Sequence, residues 1–263
     1  MEKKKTVNLD MKQYGMVLAL IAVFLIFAVM TKGANMSPAN MNNLIMQNGY
    51  VVILAVGMLL CVLTGNIDLG VGSMVALTGA AVGIIIVDYK LPIFVAIIAA
   101  LIIGLLSGMF VGFFVSKLAI PPFIVTLATM LMGRGLTYTL LKAQTKGPLP
   151  TDFTYIGAGF LPTIKIPYAD GTLDMISIIV ALVASVLIIL NEIKNKKLKQ
   201  KYGFAVNPMW QEIIKLAVIL LIVWFFFYKL SRYNGIPLVF VIIGVLVVVY
   251  HFIRMKTFPG RQI

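Results

Sequence analysis

The stretch LTGNIDLGVGSM, residues 63–74, interrupts an otherwise apolar region and carries an acidic residue, Asp68. The runs on both sides are long enough to cross a bilayer as helices. Glycine and polar residues at membrane depth leave backbone groups without helical partners, which hydrocarbon penalises by several kcal/mol each. Such a break is stable only when it is buried in protein or lines a wet cavity. The residues predicted to form this broken helix are Gly65, Asn66, Asp68, Gly70, Gly72 and Ser73.

A second interpretation of the same stretch remains open. Asp68 is well placed to cap a helix that starts near Gly70, which would make the stretch an ordinary tight cytoplasmic turn. Spacing alone does not decide between a turn and a functional break.

Composition places the whole chain in a membrane. Of its 263 residues 61% are hydrophobic and only 12% are charged, far from the balance of a soluble globular domain. Twenty-two Lys and Arg face nine Asp and Glu, for a net charge of +13. A balance this basic is typical of proteins that bind nucleic acid or anionic lipid headgroups. The charges lie between the apolar runs, which favours membrane lipids and argues against nucleic acid.

Apolar runs of about 17 to 25 residues predict the membrane spans. The fold class is therefore all-α, a polytopic transmembrane helical bundle of about eight spans in a single domain, 1–263. The first run has the basic flank of a signal peptide, but it is long and lacks a clear cleavage site, so we interpret it as a retained span. The eight candidates are residues 14–30, 44–64, 71–87, 92–114, 123–141, 174–190, 212–229 and 235–253.

The distribution of Lys and Arg predicts the orientation, because cytoplasmic loops near span ends are enriched in these residues. Placing the N-terminus in the cytoplasm puts about twice as many of them inside as outside. Residues 191–211 then form a basic cytoplasmic loop, interpreted as lying near anionic headgroups, with a specific partner site as the alternative. Residues 142–173 form a long external loop, rich in Gly, Pro and aromatic residues, that could pack as a small cap.

A second informative stretch is KLAIPPFIVTLATMLMGRGLTYTLL, residues 117–141. Two prolines suit the start of a helix, and small residues let neighbouring helices approach closely. Arg134 lies within or at the end of this span. It either extends to the interface or pairs with an acid such as Asp68. The residues predicted to serve helix packing and a possible gate are Pro121, Pro122, Thr126, Thr129 and Arg134.

These two stretches together resemble a known family. GNIDLGVGSMVALTGA (65–80), followed by IPPFIVTLATMLMGRGL (120–136), closely resembles the membrane subunits of bacterial ABC importers for monosaccharides, in the ribose, xylose and galactose branch. The basic KNKKLKQKYGF (194–204) before EIIKLAVIL (212–220) is similar to the multiple-monosaccharide subgroup.

The resemblance implies a multi-pass permease in the bacterial inner membrane. It would form the translocation path for sugar, with the break near Asp68 as part of that path. It would pair with a second permease subunit as a homodimer, receive sugar from an extracytoplasmic sugar-binding protein, and be driven by cytoplasmic ATP-binding subunits. The chain itself would need no cofactor and no metal, and would not be an enzyme, since it has no Gly-rich phosphate loop.

The C-terminal sequence departs from this family pattern. In the family, the segment after a Gly-Arg pair like Gly260-Arg261 continues into a cytoplasmic coupling helix and further spans. This sequence stops at FPGRQI, residues 258–263. The expectation is a C-terminally truncated permease that lacks the coupling surface for the ATPase.

Three other functions remain as alternatives. A branched-chain amino acid ABC permease would share the architecture. A secondary sugar transporter also uses discontinuous helices, but it would need a site for a coupling ion. A membrane-embedded enzyme would need a catalytic cluster of His, Asp or Cys, and the sequence has none at catalytic spacing.

Overall fold

The computed structural model describes residues 11–168, 171–203, 208–257 and 260. Over these residues the chain forms nine α-helices and one two-stranded antiparallel hairpin. The helices are α1 (Met11–Met30), α2 (Pro38–Leu63), α3 (Val71–Gly83), α4 (Ile93–Lys117), α5 (Pro122–Leu141), α6 (Thr151–Ala158), α7 (Met175–Lys201), α8 (Met209–Ser231) and α9 (Leu238–Lys256). A 3-10 turn (Ala34–Met36) precedes α2, and a π-helical segment (Ile84–Asp88) continues α3. The strands are β1 (Lys165–Tyr168) and β2 (Gly171–Asp174), with Lys165 opposite Asp174.

The predicted fold class is confirmed, because each of the eight predicted spans coincides with a helix. Seven helices in the described part of the chain are long and apolar enough to cross a membrane. For α1, the described apolar helix covers only Ala19–Met30. Many large apolar side chains point outward, such as Leu101 at 69% exposure. A bilayer would solvate such a surface and water would not, so the chain is an integral membrane protein.

Proline sets the start of most of these helices. Pro92, Pro121, Pro150, Pro208 and Pro237 each stand immediately before a helix and accept its first backbone hydrogen bond. Proline suits this position because its missing N–H would have no helical partner there. Helix α7 begins differently, with the carboxylate of Asp174 as its cap.

Contacts within the chain group it into two units. The first covers Met1–Leu44 and Pro162–Ile236, and the second covers Ile45–Leu161 and Pro237–Ile263. In the first, α7 packs against α8, and the buried Ser231 hydroxyl donates to the carbonyl of Asp174 at 3.0 Å. In the second, α3 packs against α4 and α5, while α6 packs against α9. The single-domain prediction for 1–263 stays a prediction.

Two segments predicted as loops contain regular structure. The segment 142–173 holds α6, β1 and part of β2. In 191–211, α7 continues to Lys201, since Lys, Glu, Gln and Leu all favour helix. The apolar run ends at Leu190, although the helix continues, which is why the predicted span stopped at 190. Residues 169–170 and 204–207 of these segments lie outside the described residues, as do Lys3, Lys4, Lys5 and Arg261. The membrane side of each segment stays a prediction.

Candidate functional site

The predicted break lies between α2 and α3. Helix α2 ends at Leu63 and α3 begins at Val71. Gly65 adopts a left-handed φ of 76°. Its N–H donates to the carbonyl of Val62, and the N–H of Asn66 donates to Cys61, both at 3.0 Å. This pair of bonds closes the end of α2 in the way that glycine-terminated helices commonly end.

Asp68 organises the start of α3. Its Oδ1 accepts a hydrogen bond from the N–H of Gly70 at 2.7 Å, directly before the helix. The link is also attached to α5, because the Thr126 hydroxyl donates to the carbonyl of Ile67 at 3.4 Å. Asp68 thus closes a local turn directly before α3, whereas the N-cap of the helix is Gly70, which has no side-chain cap hydrogen bond.

Helices α3 and α5 approach each other through small side chains. Ser73, Thr126, Thr129 and Gly133 are all buried. A Cβ at Gly133 would lie 3.2 Å from the Cβ of Ser73 and 3.3 Å from its carbonyl oxygen. A Cβ at Gly70 would lie 3.1 Å from the carbonyl oxygen of Thr126. Only residues without bulk permit this backbone separation.

An open cavity of about 460 Å³ lies beside this contact and is lined by the end of α2, the α2–α3 link, α3, α4 and α5. Its size falls within the range of about 300–1,000 Å³ that is usual for small-molecule sites. The predicted residues that line it are Asn66, Asp68, Gly70, Pro122, Thr126 and Thr129. The predicted residues that do not line it are Gly65, Gly72, Ser73, Pro121 and Arg134.

The wall contributed by α4 was not predicted. Gly104, Ser107, Gly108 and Gly112 line the cavity, and a Cβ at any of the three glycines would meet nothing within 4 Å. The spacing of these glycines, four residues apart, places them on one face of the helix. That spacing is a recognisable sequence signal of a small-residue helix face, which can either pack against another helix or line an open space.

The polar groups of the cavity are mostly hydroxyls that donate to their own helix. Thr129 donates to Val125 at 2.7 Å, and Ser107 donates to Gly104 at 2.9 Å. Thr78 donates to the carbonyls of Met74 and Val75, each at 2.9 Å. With its proton engaged, each oxygen keeps lone pairs that can accept hydrogen bonds from a ligand. The wall therefore offers scattered acceptors on an apolar surface.

Arg134 does not line the cavity. It is exposed on α5, and it forms no ion pair with Asp68. An exposed arginine on a membrane helix can extend its charged end to the interface. In the described part of the chain, no group of three or more His, Cys, Asp or Glu side chains is arranged to hold a metal.

A family model described as "Branched-chain amino acid transport system / permease component" matches residues 40–263. No solved structure matches the chain.

The curated relatives include three permeases for sugars. The xylose transport system permease protein of Haemophilus influenzae is 32% identical over 263 residues, 100% of this chain and 67% of the relative. The fructose import permease protein of Bifidobacterium longum is 33% identical over 187 residues, 70% of this chain and 54% of the relative. The ribose import permease protein of Escherichia coli K12 is 38% identical over 141 residues, 52% of this chain and 42% of the relative. The chain thus spans about two thirds or less of the length of these relatives.

Proposed function

Because this chain belongs to the family of branched-chain amino acid transport system permease components, we propose that it is the transmembrane permease subunit of an ATP-driven monosaccharide importer. The observation that carries this proposal is the match of the whole chain to a xylose permease protein. Further relatives named for fructose and ribose favour a sugar over a branched-chain amino acid, although the family description names the latter.

The proposed role of the cavity is to form part of the translocation path. A monosaccharide is uncharged and carries several hydroxyl groups, each able to donate a hydrogen bond. The cavity presents hydroxyl oxygens of Thr78, Ser107 and Thr129 with free lone pairs, and the Asp68 carboxylate beside them. Few and weak contacts suit a path, because a transported molecule must leave as readily as it enters. The close contact of α3 with α5 beside the cavity is the proposed gate.

The partners of this permease are also part of the proposal. The family is one of transport-system permeases and not of enzymes. We therefore assign ATP hydrolysis to separate cytoplasmic subunits and sugar delivery to an extracytoplasmic binding protein. A second permease subunit completes the membrane part, in the bacterial inner membrane. The N-terminus is placed in the cytoplasm, which puts the lysine-rich end of α7 on the inner side.

The test measures uptake of labelled xylose, ribose, fructose and leucine in cells with and without the gene for this chain, expressed with its native partners. The expected result is loss of uptake for at least one sugar and unchanged uptake of leucine. Loss of leucine uptake alone would replace the sugar by a branched-chain amino acid.

The energy source of uptake distinguishes the proposed importer from a secondary sugar transporter, the remaining alternative. Uptake by the proposed importer should continue when an uncoupler dissipates the proton gradient while cellular ATP is held constant. A secondary sugar transporter would stop under the same condition. Collapse of sugar uptake with ATP unchanged would therefore overturn the ATP-driven mechanism.

A further inference from the structure

Of the five lysines at the end of α7, one forms an ion pair with α8 and four take part in none of the ion pairs of the described residues. Lys196 forms an ion pair with Glu212 of α8 at 2.6 Å. Glu192 on the same side of α7 pairs with Lys215 of α8 at 2.7 Å. These pairs neutralise the side of α7 that faces α8.

Three of these four lysines lie on another side of the helix. Lys194, Lys197 and Lys201 line a surface groove together with Leu190, Ile193 and Leu198. Their positions are separated by three and four residues, which places them on one face along about 10 Å of helix. These three side chains take part in none of the ion pairs of the described residues.

The same face is apolar further up the helix. Val183, Val186, Leu187 and Leu190 are 45–60% exposed. They precede the lysines at the spacing of one helical face. The face therefore runs from an exposed apolar stripe to a row of cations without ion pairs, where the apolar run ends.

We propose that this face binds an anionic phospholipid, with the phosphate headgroup held by Lys194, Lys197 and Lys201 and an acyl chain lying along Val183, Val186, Leu187 and Leu190. A phospholipid matches both parts of this face, because it joins a negative headgroup to an apolar tail. Lysine suits the headgroup end, since its long apolar stem lies along the helix while its ammonium reaches the phosphate. An acidic protein surface would match the cations alone, whereas a phospholipid contacts the cations and the apolar stripe together.

The test uses the full chain purified in detergent micelles and measures bound lipid by native mass spectrometry. Phosphatidylglycerol is the anionic probe, and phosphatidylcholine with the same acyl chains is the neutral one. Each lysine near an anionic headgroup strengthens binding about fivefold, so K194Q/K197Q/K201Q should lose phosphatidylglycerol on the order of 100-fold. Phosphatidylcholine binding should be unchanged.

A matched pair of single variants controls for net charge. K197Q and K199Q each remove one charge from the same helix end, but Lys199 lies about 200° around the helix from Lys197, since each residue turns it by about 100°. K197Q should weaken phosphatidylglycerol binding, and K199Q should not. Glycerol phosphate, the headgroup without acyl chains, should compete poorly, because the apolar stripe contributes to binding.

Four results would overturn the lipid site. One is equal binding of the two lipids by the unmodified chain. Another is an equal loss of phosphatidylglycerol binding in K197Q and K199Q, which would show that only the net charge of the helix end matters. The third is full competition by glycerol phosphate, which would make the ligand a soluble phosphate. Binding of an acidic ATPase subunit that depends on the three lysines, without any lipid preference, would transfer the face to a protein partner.

Discussion

Gly133 of α5 lies directly against Ser73 of α3, so closely that a Cβ at position 133 would stand 3.2 Å from the Cβ of Ser73. Two residues further along α5, a Cβ at Gly135 would meet nothing within 4 Å. Gly133 therefore lies in the contact between α3 and α5, whereas Gly135 on the same helix lies outside it. The same substitution at both positions tests this contact.

Replacing Gly133 by Leu should destabilise the protein by about 1–3 kcal/mol, because a larger side chain forces the packed helices apart. Gly135→Leu should leave stability unchanged or raise it by up to about 1 kcal/mol, because its side chain meets no neighbour and leucine favours helix over glycine. Thermal unfolding in detergent measures both. Equal effects of the two variants would contradict the close contact.

The turn-forming role of Asp68 can be tested separately from its proposed role in transport. Asp68→Ala removes the acceptor for the Gly70 N–H and should cost about 0.5–1.5 kcal/mol of stability, the usual value of one hydrogen bond. Asp68→Asn keeps an acceptor oxygen and should leave stability nearly unchanged. If the carboxylate serves the path, Asp68→Asn should still reduce sugar uptake about tenfold, a loss of about 1.4 kcal/mol. Normal uptake by a stable Asp68→Asn protein would show that Asp68 serves only the local turn before α3.

A side chain that fills the cavity should reduce transport without lowering stability. At Gly108, a Cβ would meet nothing within 4 Å, and leucine favours helix over glycine by roughly 0.5–1 kcal/mol. Gly108→Leu should therefore be as stable as the unmodified protein or more so, with reduced sugar uptake. Leu105→Phe adds bulk to the same helix at an exposed position that does not line the cavity, and it should transport normally. Unimpaired sugar uptake by Gly108→Leu would show that the cavity is not part of the translocation path.

Asp174 should be among the residues most sensitive to substitution in the hairpin and α7. It is 1% exposed, and its carboxylate accepts from the Ile164 N–H at 3.0 Å, the Ser177 N–H at 2.9 Å and the Ser177 hydroxyl at 2.6 Å. Asp174→Ala leaves these buried donors without an acceptor and should cost at least about 2 kcal/mol. Asp152→Ala, at an exposed position in the first turn of α6, is the control and should cost much less. Similar unfolding temperatures for the two variants would contradict this prediction.

The ion pair between Lys146 and Asp88 should contribute little. The two side chains are 2.6 Å apart but remain 25% and 40% exposed. Exposed pairs of this kind contribute about 0–1 kcal/mol and are screened by salt. A double-mutant cycle with Lys146→Gln and Asp88→Asn should give a coupling in that range at low salt and a smaller one at high salt. A larger coupling that salt does not reduce would show that the pair is effectively shielded from solvent.

The location of the helices could be predicted because membrane spans are recognisable from their apolar composition. Hydrocarbon excludes unpaired backbone and charge, so each span must be a long apolar run. Proline and glycine marked several ends for local reasons, as at Pro122 and Gly65. The end of α7 was missed because its last turns are charged, and a charged helix outside the hydrocarbon leaves no apolar signal.

The composition of the cavity could be predicted only in part. Asn66, Asp68 and Thr126 were found because polar residues are conspicuous in an apolar sequence. Gly104, Gly108 and Gly112 were missed, although their spacing was visible, because a glycine face can serve either a packed helix or an open cavity. Arg134 and Asp68 were possible partners by charge, and only their positions in the fold showed that they do not pair.

By itself, the sequence determined that the chain is an all-α membrane protein, where its spans lie and which family it resembles. These properties follow from hydropathy and local chain chemistry, which act over neighbouring residues. The tertiary structure decided which small residues pack tightly and which face open space, and which lysines are neutralised by acids and which remain free. Those distinctions depend on which helices become neighbours, and residues far apart in the sequence meet only when the helices have packed.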